Sequence, residues 1–314
     1  MVRSPSCIVD NVHPMNVLLL CNPTSGGGKS LAARGAVARA LVSAGHHVTE
    51  RATEPGESAS AALQAALSQQ DVLVVMGGDG SVRGASHAAM RASVPVYVLP
   101  YGTENLFARH HGFTRGIDQL LASLRSRCVS TLDVCEANGQ RFLIMASVGF
   151  DADVVAEVAA HRTGAISKFS YAMPIIRTAA TWRGHAMTVE CDGGPPRAVP
   201  PGTLVVANMP EYAARLDPVP SAVATDGRLD GLALPGRTAL GMAVAVACCW
   251  LRATKLLPTA VRLGGRELRI RGSQPFRFQL DGDPPASALP VCELVLRVVE
   301  GGLQVWQPVQ QGGG

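Results

Sequence analysis

Lysine is nearly missing from this chain: of 28 basic residues only Lys29, Lys168 and Lys255 are lysines, and the remainder are arginines. With a net charge of +4, that imbalance reflects a compositional bias toward arginine rather than a selected phosphate surface. Aromatic residues make up 4% of the chain, too few for the stacking platforms that hold single-stranded nucleic acid, so no nucleic-acid partner is expected. The eight cysteines, at 7, 21, 128, 135, 191, 248, 249 and 292, form no C-x-x-C pair and no Cys/His metal spacing, which points to reduced thiols and a cytoplasmic setting. Long apolar runs are absent too. Leu240–Leu251 falls short of the roughly 18 residues that cross a bilayer. Val17–Cys21, followed by Asn22-Pro23, is too short for a signal-peptide core, and Leu20 before Cys21 argues against a lipoprotein site. Any membrane contact is therefore expected to be peripheral. What is present is a chain of 314 residues, 47% apolar and 17% charged, with 33 glycines and 21 prolines. It has the composition of a folded, turn-rich α/β or β protein, with room for two ordinary domains or one large one.

Strand and helix patterns alternate through the first third. Val17–Leu20 is a short apolar run that leads into Gly26-Gly27-Gly28 and then an Ala/Leu-rich helix over about 30–43. A helix over about 58–68 precedes the apolar run Val72–Met76, which ends in Gly77-Gly78-Asp79-Gly80. An Ala-rich segment over 84–92 precedes Val94–Leu99, which ends in Pro100-Tyr101-Gly102-Thr103. Three buried strands, each ending in a polar or Gly-rich turn, predict a parallel sheet whose loops gather at its carboxyl edge, where ligands bind in such folds. From about Leu132 the pattern becomes alternating strands between Gly/Pro clusters: 141–147, 186–191, 202–208, 267–271, 276–280 and 294–299. Helices are predicted within 152–182 and 238–257, the latter as a core helix with no membrane role. The boundary is placed between 131 and 132, giving an α/β domain over 1–131 and a β-rich domain over 132–314 whose C-terminal tail can return to the first.

The run from Asn22 to Ser30 invites comparison with a P-loop, but that spacing needs glycine at 23, where this chain has Pro23. A helix start bearing Ser25 and free glycine amides can hold phosphate by the same physics, and an ordinary Gly-rich turn is an equal reading. Gly77-Gly78-Asp79-Gly80-Ser81 is more specific: two glycines allow a phosphate chain to approach the backbone, and the carboxylate can hold Mg²⁺ or a water beside it.

Taken together, these runs resemble the diacylglycerol kinase catalytic-domain family, in its bacterial lipid-kinase branch related to sphingosine kinases. The resemblance rests on Asn22–Gly26, Gly77–Ser81, Pro100–Asn105 with Ala108-Arg109, and Leu132-Asp133-Val134. It continues through Val148–Ala152, Thr225–Asp230 and Asp281-Gly282-Asp283, all in family order. It implies an N-terminal nucleotide-binding α/β domain with a parallel sheet beside a C-terminal antiparallel β-sandwich. The implied activity is ATP-dependent phosphorylation of a diacylglycerol-like or sphingoid hydroxyl. Carried over by position, Asn22, Pro23, Thr24, Ser25, Gly26, Thr53, Gly77, Gly78, Asp79, Gly80, Ser81, Val82, Arg83 and Thr103 would line ATP. Asp79 and Asp133 would serve Mg²⁺. Asp281 and Asp283 would be the acidic pair that takes the lipid hydroxyl's proton. Asp226, with the carbonyls of Val223 and Arg228, resembles a structural site for Mg²⁺ or Ca²⁺; a plain β-turn is the alternative.

Three departures stand out. Ser81 is followed by Val82-Arg83-Gly84 rather than a nearby Asn-Glu pair, Leu106 replaces a family aspartate, and Asp283 stands for a glutamate. A catalytically inactive nucleotide- or lipid-binding relative and a phosphofructokinase-like sugar kinase remain as alternatives, the latter because Gly77–Ser81 also resembles its ATP loop. The lipid partner would be met at the membrane surface, and a homodimer is allowed for. Between 252 and 277, seven cations (Arg252, Lys255, Arg262, Arg266, Arg269, Arg271 and Arg277) stand against Glu267 alone, which predicts attraction to anionic lipid.

Overall fold

Val17–Leu20 and Val72–Met76 carry no polar side chain, so either face would expose apolar surface to water. Both are buried strands in the computed structural model, which describes residues 13–53, 61–161 and 172–310. The chain forms two compact units, Met1–Leu132 with Gly301–Gly314, and Asp133–Glu300.

The first unit runs β1 (Asn16–Cys21), α1 (Lys29–Ser43), β2 (His47–Ala52), α2 (Ala61–Leu67), β3 (Val72–Gly77) and α3 (Asp79–Ala92). It continues through β4 (Val96–Pro100), α4 (Leu106–His111) and α5 (Ile117–Ser126). Its strands lie parallel in the order β2-β1-β3-β4, with Val17 beside both Val48 and Val72 and Leu73 beside Val96. The end of β15 (Val291–Trp306) joins the same sheet, Val305 beside Val96, and so brings the C-terminal segment back to this unit. β2 has no fully buried residue, and an edge strand without an apolar face leaves no periodicity to read in the sequence.

α4 ends in His110-His111, and the His111 ring lies 4.7 Å from that of Phe107 and 6.3 Å from that of Phe113. Burial, and next the adjacent His110, push the His111 imidazole down from 6.5 to about 3. The unfolded chain therefore takes up this proton near pH 6.5 and the native chain only near pH 3. The stabilisation is complete above the unfolded value and is lost progressively as pH falls from 6.5 toward 3. Thermal midpoints should drop across that window, and His111→Leu should flatten the drop. An unchanged acid profile in that variant would exclude His111 as a source.

The second unit holds β6 (Gln140–Phe142), β7 (Met145–Gly149), α6 (Phe150–Ala160), α7 (Ala172–Thr181), β8 (Met187–Cys191), β9 (Arg197–Val199), β10 (Gly202–Ala207) and β11 (Leu229–Pro235). After these come α8 (Ala239–Trp250), β12 (Val261–Gly265), β13 (Glu267–Phe276) and β14 (Phe278–Leu280), with most of β15 and the end of β5 (Val129–Ala137). One antiparallel sheet has the order β12-β11-β10-β7-β14, and the other pairs β15, β13, β8 and β9, with β5 and β6 at its side. Phe142, Val148, Leu204, Ile270, Phe276 and Leu294 belong to the core they enclose.

The strand expected over 141–147 is divided, because Leu143 and Ile144 carry the chain from one sheet to the other. Their backbone groups leave both ladders and are buried, so they need other partners. The Asp281 carboxylate accepts the N–H groups of Leu143, Ile144 and Met145 at 3.0, 2.8 and 3.0 Å. Asn208 donates its amide to the Leu143 carbonyl at 2.8 Å.

Several expectations are corrected. Residues 162–171, within the helix predicted over 152–182, lie outside the described residues, as do Cys7 and Lys168. The predicted core helix is α8, which buries only Met242, Ala245 and Cys249. The strand part of the basic stretch is compensated: Arg269 and Arg271 pair with Glu293 at 2.8 and 2.7 Å, Arg271 also pairs with Glu190 at 3.1 Å, and Arg277 lies 3.6 Å from Asp153. These carboxylates stand on neighbouring strands or helices, so the run of cations alone did not disclose them. Cys21, Cys135, Cys191, Cys248, Cys249 and Cys292 are free thiols, as expected for these six. No described helix is long and apolar enough to cross a membrane.

Candidate active site

Three loops converge at the carboxyl edge of the parallel sheet in the first unit. In the loop after β1, the Asn22 side-chain oxygen accepts the N–H of Thr24 at 3.1 Å and its hydroxyl at 2.9 Å, closing the turn that contains Pro23. The Asn22 amide donates to the Ser81 hydroxyl at 3.0 Å, tying this loop to the one after β3. The Ser30 hydroxyl donates to the Asn22 carbonyl. Gly26, Gly27 and Gly28 all have left-handed backbone, and a Cβ on Gly26 would stand 2.6 Å from the Tyr101 carbonyl. α1 then starts with no side-chain cap and no acidic residue in its first turn, so its positive end is directed into the loop with Ser25 beside it. Thr53, just past β2, donates its N–H to the Cys21 carbonyl at 2.9 Å.

The loops after β3 and β4 touch backbone to backbone. Neither Gly78 nor Gly102 has a positive φ, so conformation does not demand glycine at either position. Space does: a Cβ on Gly78 would lie 2.9 Å from the Gly102 Cα, and one on Gly102 would lie 2.5 Å from the Gly78 Cα. Asn105 fixes the second loop by accepting the Gly102 N–H at 2.7 Å and donating to the Gly102 carbonyl at 2.8 Å. Thr103 is in that same loop. Gly80, Ser81, Val82 and Arg83 form the first turn of α3, where Ser81 and Val82 donate their N–H groups to the Gly78 carbonyl. Val82 is buried and Arg83 is half-buried. The two oxygens of Asp79 accept the N–H groups of Phe107 at 2.9 Å and Leu106 at 3.0 Å, so this carboxylate caps α4. Leu106 is buried where the family pattern has aspartate, and Glu104 lies 3.9 Å from Arg109. Glycine loops packed backbone to backbone, an uncapped helix start and a carboxylate beside them fit a nucleotide phosphate chain with a divalent cation.

The remaining candidates are in the second unit. Asp281 and Gly282, both with positive φ, are the central residues of a tight hairpin closed by reciprocal backbone hydrogen bonds between Leu280 and Asp283. This turn geometry favours Asp-Gly for its own reasons. It also divides the acidic pair. The buried Asp281 carboxylate serves the sheet corner, while Asp283, half-buried, follows the turn. Asp133 accepts the Gly227 N–H at 2.8 Å, and Asp226 accepts the Arg228 N–H at 3.0 Å. The Val223 carbonyl accepts the N–H of Thr225 at 2.8 Å and of Asp226 at 3.4 Å. Burial, then Asp226, push the Asp230 carboxyl up, and burial, then Asp133, Asp281 and Asp226, push the Cys135 thiol up. Among the described residues, no group of three or more His, Cys, Asp or Glu gathers as a metal site.

Sequence reasoning missed Gln279 and Ser147. Gln279 donates to the Ser147 hydroxyl at 2.9 Å and to Asp151 at 3.1 Å, and accepts the Gly282 N–H at 2.7 Å. Ser147 in turn donates to Asp151. This network braces the hairpin that carries Asp283; its one sequence signal is a polar residue in an otherwise apolar strand, Phe278–Leu280.

Comparison with known proteins agrees with this arrangement. Residues 16–137 match the model of the diacylglycerol kinase catalytic domain, and 144–306 match that of the YegS C-terminal NAD kinase beta sandwich-like domain. A diacylglycerol kinase of Bacillus subtilis (strain 168) is 26% identical over 179 residues, 56% of this chain and 59% of the relative. A probable lipid kinase, YegS-like, of Pseudomonas aeruginosa is 33% identical over 143 residues, 45% of this chain and 46% of the relative. The matches thus span about half the length of these relatives. A crystal structure of a diacylglycerol kinase candidate from Bacillus anthracis str. Sterne has a TM-score of 0.75, covering 95% of this chain and 97% of that one at 20% identity, which shows a shared fold.

Proposed function

Because this chain belongs to the diacylglycerol kinase catalytic-domain family, we propose that it transfers the γ-phosphoryl group of ATP to the hydroxyl of a diacylglycerol-like or sphingoid lipid. The observation that carries this reading is the convergence of three loops in the first unit, where Gly78 and Gly102 meet beside the uncapped start of α1. Amides of Gly26–Lys29 would hold phosphate oxygens, with Asn22, Ser81 and Thr103 as polar walls. Mg²⁺, held through Asp79, would offset charge on the phosphates. Asp283 would accept the alcohol proton as its oxygen bonds to the γ-phosphorus and the bond from that phosphorus to the β–γ bridging oxygen breaks, releasing ADP. Positioning and charge neutralisation dominate such chemistry. Asp281 would position the hairpin rather than take the proton.

The test is transfer of labelled phosphate from ATP, with Mg²⁺, to a panel of lipid alcohols. Asp283→Asn should lower turnover about 10²- to 10⁴-fold with ATP affinity and melting temperature close to those of the parent. Unchanged turnover would remove Asp283 as the base. A parent chain that binds ATP yet phosphorylates no lipid would be the inactive relative instead.

A further inference from the structure

α8 is both an unusually apolar helix and a poorly covered one. From Ala239 to Trp250 it contains no charged side chain, and Met242, Ala245 and Cys249 alone form its buried side. Leu240, Trp250 and the following Leu251 are 76%, 69% and 70% exposed, and Val244 and Leu256 are exposed as well. A helix on a water-facing surface carries polar residues on its outer side. This one presents a contiguous apolar surface to solvent, which marks an interaction site.

The charges around it identify the partner. From 237 to 266 the chain has Arg237, Arg252, Lys255, Arg262 and Arg266 and no Asp or Glu. Arg237, Arg252, Lys255 and Arg262 are exposed. Asp217 lies 3.9 Å from Arg252, whose side chain stays 81% exposed, and Arg262 donates to the Thr254 hydroxyl at 3.4 Å. Pairing α8 with its equivalent in a second copy would bring the same cations together, whereas an anionic lipid surface complements both the apolar face and its basic margin. At 1.5 Å per residue the 12-residue helix is about 18 Å long, too short to span a hydrocarbon core of about 30 Å, so it can only lie along the surface.

We infer that α8, with Leu251 and Leu256, is an interfacial helix that docks this unit on an anionic bilayer, with its apolar face among the acyl chains and Arg237, Arg252, Lys255 and Arg262 at the lipid phosphates. Trp250, at its C-terminal end, takes the interfacial position that indole favours. The inference stands on α8 and its margin, whichever lipid is phosphorylated.

Trp250 is a built-in reporter, because Trp182 and Trp306 are buried. Full-length protein mixed with phosphatidylglycerol/phosphatidylcholine vesicles should sediment with them, and its tryptophan emission should shift to shorter wavelength and be quenched by brominated lipid. Pure phosphatidylcholine vesicles should give a much smaller response. Leu240→Asp with Leu251→Asp should weaken vesicle binding at least about tenfold while the thermal midpoint stays at the parental value, since both side chains face solvent. Parental binding in that double variant, or unshifted Trp250 emission, overturns the inference. So does a double variant that splits a dimer in sedimentation velocity but still binds vesicles, which would make the face a contact between copies. Docking is read without ATP, and phosphate transfer is read separately with a short-chain, water-soluble alcohol. Docking without transfer would therefore count against the kinase reading alone, and transfer without docking against this one alone.

Discussion

Gly102→Val is expected to abolish ATP binding, lowering affinity at least about a hundredfold in calorimetric titration. The new Cβ would stand 2.5 Å from the Gly78 Cα and 2.8 Å from the Asn105 side-chain oxygen, so two backbones have to separate, not a flexible side chain. Separation would also break the Asn105 bonds that hold this loop. Gly78→Val should act alike from the opposite side, its Cβ 2.9 Å from the Gly102 Cα. A mere turn glycine would instead lower stability without selective loss of binding. Parental ATP affinity in either variant would remove these loops from the nucleotide site, whereas loss of affinity with the second unit's folding retained would support them.

Asp281→Ala should be the most destabilising single change at the acidic hairpin. It leaves three buried N–H groups, those of Leu143, Ile144 and Met145, without their acceptor. At about 1–3 kcal/mol for each unsatisfied buried group, a loss of at least about 3 kcal/mol is expected, lowering the melting temperature by about 10 °C. Asp281→Asn keeps one carbonyl oxygen and should lose less. Asp283→Asn should leave the melting temperature unchanged while slowing transfer, so the two aspartates separate into one that holds the hairpin and one available for chemistry. A melting temperature for Asp281→Ala equal to that of the parent would refute the anchoring role.

The sequence by itself determined the α/β plus β-sandwich organisation and the family. Both are written in short windows: apolar runs such as Val72–Met76 that no exposed strand could carry, and turn chemistry such as Gly77-Gly78-Asp79 after a strand. The edge strand β2, with no buried side, escaped because periodicity reports burial and nothing else. What only the tertiary structure decided depends on partners distant along the chain. Asp281 and Ile144 are 137 residues apart, and their contact turns an apparent acidic pair into an anchor and its neighbour. Arg271 meets Glu190 and Glu293 only because β13 lies between β8 and β15, which neutralises cations that seemed unopposed in sequence. For α8 the apolar composition is the same whether the helix is enclosed or exposed, since hydrophobicity measures the tendency to leave water but not what provides the cover. The fold packs three of its side chains and leaves Leu240 and Trp250 outside.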